Sequence, residues 1–387
     1  MLAIINARLH TMSGTVINEG VLLIDEDGKI ADIGEDVEVP DEARVIDARG
    51  RDVTPGIIEA HCHAGVSEEG IGWEGKDGNE ATDPVTPEVR AIDGANPEDK
   101  AFAAFREAGV TAAQITPGSA NVIGGEQFAV KCNDAKIIEE MVLLHPSGMK
   151  AALGENPKRV YGSKKGPSTR MGIAATMRKW LQKARDYADK KAGCDEDDNG
   201  GGKYDARLEA LLPVITGEIP LRIHCHRADD MATAIRIARE YGISYTIEHA
   251  TQAFKIPEYL KKHDVRCAVG PSMMFEAKVE MRGNGFESAV ALYEAEVPFC
   301  LTNDHPVVHG RNLRAAAGIL SSRGVPAEDA LRSVTLWAAE HIGVADRIGS
   351  LDVGKDADVV IWSSDPLDAR TFADVTIIDG NVVFERE

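Results

Sequence analysis

Between residues 219 and 342 the chain repeats one unit four times: a short apolar strand that ends in polar residues, followed by a helix. IPLRIHCH (219–226) leads into DDMATAIRIAREYG, and ISYTIEHA (243–250) into IPEYLKKH. VRCAVGPS (265–272) leads through a loop to FESAVALYEAE, and VPFCLTND (297–304) into NLRAAAGILSSRG and PAEDALRSVTLWAAEHIG. Strands joined by helical crossovers pair in parallel, because each crossover returns the chain to the same end of the sheet. Upstream, PGIIEAHCH, GVTAAQITP and GMKAALGE supply further strands, with EDKAFAAFREAG as a helix before the second. The class is therefore α/β, and a closed (β/α)8, TIM-like barrel accommodates this many units. A doubly wound open sheet is the competitor, but no GxGxxG or Walker loop follows the first strand.

The two ends share a different grammar. LAIINARLH, GVLLIDEDGKIADIG and ARVIDARG alternate apolar and polar residues, with an Asp-Gly turn at 27–28; ADVVIWS, DVTIIDG and NVVFE do the same around Asp379-Gly380. Asp-Gly between alternating runs is a hairpin signal, since both turn residues must accept positive φ. The expected organisation is one small β-sandwich built from residues 1–54 and 347–387, with the barrel, 55–346, inserted between them. A long polar loop, 64–96, follows the first barrel strand and is placed to cover a site at its end. The acidic, Gly-rich stretch 192–203 reads as a solvated hinge.

Composition narrows the class. The formal net charge of −20 leaves no basic face for nucleic acid or an anionic membrane. No apolar run reaches the roughly 18 residues of a membrane span, and the N-terminus reads as a strand rather than a signal peptide. Six cysteines, with no CxxC pair, form no disulfide framework and point to a reducing cytoplasm. The expected partner is a small molecule.

His61 and His63 close the first barrel strand. Residues two apart on a strand share a face, so both imidazoles point inward and Cys62 outward. The inward face at the C-terminal strand ends is where barrel enzymes carry their chemistry. Two converging neutral imidazoles suit a divalent metal such as zinc, and a hydrogen-bonded structural pair is the alternative. His224, His249 and Asp304 close three other strands, at gaps that suit one and two βα units. Four strands thus deliver four histidines and an aspartate to one rim. Asp304 as a mere helix cap is the bland alternative.

With PGIIEAHCH, the strand-end His224 and His249, Asp304 and the terminal GSLDVGKDADVVIW, the chain resembles the amidohydrolase superfamily over essentially its whole length. GVTAAQITPGSANVIGG and the overall layout are most similar to its imidazolonepropionase-related and prolidase-like group. The resemblance implies one or two divalent ions, most simply zinc, and water activated by the metal with Asp304 as general base. It implies hydrolysis of a non-peptide C–N bond in an amide or cyclic amide. A metallo-dipeptidase is the alternative enzyme, and a non-catalytic metal-binding scaffold the alternative outside enzymology. Self-association into a homo-oligomer is a family-level expectation. In binuclear members a carboxylated lysine or a glutamate bridges the metals. GMKAALGE offers Lys150, read as the strand's start, and Glu155 at its end; ligands belong at the C-terminal end, which favours Glu155.

His226 shares the inward face of His224 and is read as a substrate contact or a partner that holds a ligand in place, with metal ligation as the alternative. Arg159, Tyr161 and Arg170 after the fourth strand, and Lys278 and Arg282 after the seventh, lie on loops expected above the metal. A guanidinium there can clamp a carboxylate; solvated loop charges are the bland reading. His10, His145, His263 and His341 fall outside the expected site.

Overall fold

The computed structural model describes residues 1–164, 166–192 and 204–387, so the expected hinge at 192–203 lies outside the described residues from 193 onward. The chain opens with strands β1 (Leu2–His10), β2 (Val16–Ile24), β3 (Ile30–Gly34), β4 (Arg44–Asp47) and β5 (Asp52–Pro55). It then enters β6 (Ile57–Cys62), β7 (Val110–Ile115), β8 (Ile123–Lys131), β9 (Val142–Ala152), β10 (Leu221–Cys225), β11 (Tyr245–His249), β12 (Cys267–Val269) and β13 (Phe299–Leu301). It returns through β14 (Val359–Trp362), β15 (Ala373–Ile378) and β16 (Asn381–Glu385).

The two ends do build one sheet, in the order β16-β15-β14-β5-β1-β2-β3, with β4 paired to β1. Its apolar side is continuous across the chain ends: Ile4, Leu9, Leu22 and Ile24 pack with Val359, Ile361 and Ile377, all fully buried. Burying each such side chain contributes about 1.5–3 kcal/mol, which neither end could gather alone. The two Asp-Gly turns meet there. Gly28 has φ +74°, and a Cβ on it would lie 2.2 Å from the carbonyl oxygen of Asp379. Lys131, at the end of β8, reaches into this junction, 2.7 Å from Asp358 and 2.9 Å from Asp379.

The middle eight strands form a second sheet in strict chain order, β6 to β13. The α/β class and the eight-stranded, nearly closed barrel sheet agree with the expectation, with one difference. β8 runs antiparallel to both β7 and β9. A short connection, 116–122, joins β7 to β8, and a parallel return would need a helical crossover. The segment SANVIGGEQF (119–128) is thus largely strand, and the repeating unit is interrupted once. Between β13 and β6 the ring is joined by individual bonds rather than a ladder. The Thr302 hydroxyl donates to the His61 carbonyl at 2.8 Å, and His63 N–H to the His305 carbonyl at 2.8 Å.

Helices cover the barrel where the sequence periodicity places them. In Ala228–Tyr241, Met231, Ala234, Ile235 and Ala238 are buried on one stripe, and Gly242 ends the helix at φ +62°. Lys100–Glu107 starts at Asp99, whose carboxylate accepts from Ala101 N–H. The stretch PAEDALRSVTLWAAEHIG divides into Ala327–Arg332 and Leu336–Ile342. Among the described residues no helix is long and apolar enough to cross a membrane.

Candidate metal centre

The C-terminal ends of β6, β10, β11 and β13 converge, and with them all five predicted histidine and aspartate ligands. Two groups of donor atoms lie within 4.8 Å of one another: His61, His249 and Asp304, and His224, His226 and His249. His249 belongs to both. Ring centroids are 4.8 Å apart for His61 and His249, 4.3 Å for His249 and His224, and 4.7 Å for His224 and His226. His63 completes one end, with Nε2 3.2 Å from Asp304 Oδ1.

Each of four imidazoles has one ring nitrogen held from behind. His63 Nδ1–H donates to the Thr116 carbonyl at 2.7 Å, and His249 Nδ1–H to the Gly270 carbonyl at 2.9 Å. His226 Nδ1 pairs with the Thr251 hydroxyl at 2.7 Å, and His61 Nδ1–H donates to Glu248 at 2.8 Å. A carbonyl or carboxylate can only accept, so for His61, His63 and His249 the neutral ring keeps a lone pair on Nε2. Burial pushes the His61 imidazole down to about 3, helped by the neighbouring Lys150, and His224 and His226 are likewise held well below the ordinary range by burial. For Asp304 burial acts upward, but His249, His63 and His61 outweigh it and keep the carboxyl ionised. Burial thus favours the neutral imidazole at His61, His224 and His226, and Asp304 supplies an anionic oxygen, the protonation states that a metal requires.

Among the described residues, the buried atoms without a hydrogen-bond partner include Asp304 Oδ1, His224 Nδ1 and Glu280 Oε1 at this centre. Such atoms are costly to leave unpaired, and a cation among them removes the cost for the Asp304 carboxylate. The donor set of imidazole and carboxylate fits zinc or a similar divalent ion.

The fourth strand corrects the sequence reading. β9 runs Val142–Ala152, so Lys150 sits near its C-terminal end rather than its start. Lys150 is 1% exposed, and its Nζ lies 2.9 Å from His61 Nε2. Glu155 is not brought to the histidines. Gly154 turns the chain at φ +87°, and Glu155 opens the helix Glu155–Tyr161 beyond the strand. With Lys158, Arg159, Arg170, Arg227 and Glu280 it lines a cavity of about 370 Å³. Burial pushes the Lys150 amine down to about 8.

The expected substrate residues divide. His226 is in the centre, as described. Arg159 and Arg170 line the side cavity, where Arg170 Nε is 3.0 Å from both carboxylate oxygens of Asp230. Tyr161 is buried and donates to the Asp83 carbonyl at 2.9 Å, which ties it to the 64–96 loop. Arg282 is exposed on its loop. That loop sends inward a residue the sequence did not single out. Glu280, 1% exposed, lies 3.9 Å from the Nε2 atoms of His224 and His226 and pairs with Lys278 at 2.8 Å. Its other oxygen accepts from Glu155 N–H at 2.7 Å. Glu248, behind His61, was also missed, because it neighbours His249 and strand alternation would send it to the opposite face.

Comparison with known proteins agrees with this geometry. Residues 53–383 match the amidohydrolase family. Amidohydrolase tasK of Hapsidospora irregularis is 34% identical over 90% of this chain, which spans only 38% of that relative's length. An imidazolonepropionase of Acidiphilium cryptum (strain JF-5) is 26% identical, covering 94% of this chain and 93% of the relative. Among solved structures, an amidohydrolase from Thermotoga maritima MSB8 superposes with a TM-score of 0.96 at 40% identity, over the full length of both chains. A prolidase complexed with N-methylphosphonate-L-proline has a TM-score of 0.61 at 18% identity and shares the fold. With the family match spanning most of its length and the histidines and Asp304 of the resemblance gathered at one end of its barrel, this chain belongs to the amidohydrolase family.

Proposed function

We propose that the chain is a metal-dependent hydrolase of a non-peptide C–N bond, acting on an amide or cyclic amide of a small molecule. The observation that carries this reading is the pair of buried donor groups joined at His249, with Asp304 ionised at one end. His61, His63, His224, His249 and Asp304 would hold one or two divalent ions, most simply zinc, and Lys150 replaces Glu155 as the fourth-strand contribution. A divalent ion in such a site polarises a carbonyl and makes water acidic enough to attack near neutral pH.

The protein's own groups do the rest. The Asp304 carboxyl takes the proton of the attacking water and returns it to the leaving nitrogen as the C–N bond breaks, giving a carboxylate and an amine. With its amine at about 8, Lys150 is roughly a quarter free base at pH 7.5, against about one part in a thousand for an ordinary lysine. The free base can add to carbon dioxide, forming an N–C bond and releasing a proton, and the resulting carbamate would offer two oxygens that share one negative charge beside His61. Arg159 and Arg170, in the side cavity, are the candidates to meet an anionic substrate group.

A metallo-dipeptidase needs a cation for the substrate carboxylate and an anion for its ammonium. The Lys278–Glu280 pair beside His224 and His226 offers both, so that reading stays as the alternative. Residues 1–54 and 347–387 would form the small β-sandwich unit and 55–346 the barrel. Metal analysis of protein expressed with supplemented zinc, followed by a screen of cyclic amides, N-acyl amino acids and dipeptides, tests the proposal. One to two metals per chain and turnover of an amide are expected. Metal content well below one per chain defeats the reading.

A further inference from the structure

Beneath the metal centre lies a buried polar network that the reaction itself does not use. Glu248 is fully buried at the end of β11 and takes three donors. His61 Nδ1–H reaches Oε2 at 2.8 Å, His341 Nε2–H reaches Oε1 at 3.0 Å, and the Thr246 hydroxyl reaches Oε1 at 2.6 Å. Arg222, also buried, stands 3.9 Å away and supplies the countercharge. It is fixed in turn by the carbonyls of Ser147, at 3.2 Å, and His341, at 3.0 Å. His341 comes from the helix Leu336–Ile342, outside the barrel sheet.

We propose that Glu248 is a positioning residue that sets the tautomer and ring orientation of His61, with Arg222 as its buried countercharge. The inference rests on the metal reading above and extends it to residues outside the donor set. An ionised carboxylate can only accept, so the His61 proton must sit on Nδ1 while Glu248 faces it. Nε2 then points its lone pair at the opposite side, where Lys150 Nζ lies at 2.9 Å and Asp304 Oδ1 at 4.0 Å. With the proton on Nε2 instead, the same ring in the same place could not bind a cation. Carboxylates that hold a metal-binding imidazole from behind act in this way, and their loss typically weakens metal binding about 10–100-fold.

A merely structural Glu248 would also be worth keeping, because Arg222 is buried beside it. The test therefore reads the imidazole as well as stability. Metal-free wild type and Glu248→Gln, labelled with ¹⁵N-histidine, are compared by long-range ¹H–¹⁵N NMR, with His61 assigned through His61→Gln. Both proteins are then titrated with zinc against a competing chelator. In wild type the His61 proton is expected on Nδ1. In Glu248→Gln, whose amide can donate to Nδ1, the Nδ1–H population should fall and zinc affinity should drop about 10–100-fold. His341→Ala removes a support but leaves the carboxylate against His61. It should lower the melting temperature yet keep zinc affinity within about 3-fold.

A folded Glu248→Gln that binds zinc like wild type overturns the proposal. So does a loss in His341→Ala equal to that in Glu248→Gln, which would assign the effect to packing. If Glu248→Gln does not fold, wild type still decides: a His61 proton found on Nε2 in the metal-free protein refutes it. Wild type that takes up no zinc defeats the metal reading instead, and the tautomer measurement stands apart from that result.

Discussion

Replacing Lys150 by Met should stabilise the metal-free protein while weakening its hold on metal. The amine is 1% exposed, and burial moves it from 10.5 to about 8. This is the net shift, with Asp304 and Glu248 offsetting part of the desolvation, and it means that carrying the buried ammonium costs folding about 3 kcal/mol. Methionine has a similar length and no charge, so it removes that cost. It also removes the contact to His61 Nε2 at 2.9 Å, a loss of about 1 kcal/mol. The net gain at pH 7 is about 2 kcal/mol. Its pH dependence has a definite sign. The folded value lies below the unfolded one, so between about 8 and 10.5 the unfolded chain binds the extra proton. Wild-type stability therefore rises with pH across that window, and the advantage of the variant shrinks there. Urea unfolding of chelator-treated wild type and Lys150→Met at pH 7 and pH 9.5 reads both quantities. A variant less stable than wild type at pH 7, or a gap that does not change with pH, would show that Lys150 is not a desolvated amine. Metal titration of the same samples should show the variant losing one ion or binding it more weakly.

Glu155→Ala should leave metal content unchanged, because Glu155 opens the helix beyond β9 and lines the cavity with Arg159 and Arg170; mass spectrometry of the purified variant decides it. Asp304→Asn should lower kcat by about 10²–10⁴ on any amide substrate the screen identifies, the usual range for losing a general base. A kcat within a few-fold of wild type would remove Asp304 from that role. Gly28→Ala should destabilise the terminal sheet by about 1–3 kcal/mol, since the residue is held at φ +74° and its Cβ would meet the Asp379 carbonyl. A thermal melt unchanged from wild type would mean that the two Asp-Gly turns are not packed as described.

Much of this molecule was legible because its strands are short apolar bursts that end in chemistry. His61, His63, His224, His249 and Asp304 each fall at or just beyond a strand end, so finding the ends found the residues. What escaped notice did so where the backbone departs from the simple period. Strand alternation predicts that His249 and Glu248 face opposite ways. Yet His249 has φ +74°, which turns its ring back into the centre, while Glu248 remains inward as the true alternate. Asp304, at φ +54°, is turned in the same fashion just past β13. An apolar pattern cannot announce a left-handed residue that is not glycine, so the carboxylate behind His61 was hidden by the very histidine beside it. Lys150 was placed at the wrong end of its strand for a related reason. The rule that ligands sit at C-terminal strand ends was sound, but it was applied to a strand begun too late. β9 pairs with β8 from Val142 onward, and that partner is the one strand that breaks the repeating unit. With the strand's start moved upstream, Lys150 falls near its C-terminal end and Glu155 becomes the first residue of the helix beyond. The same rule, given the right register, selects the other residue.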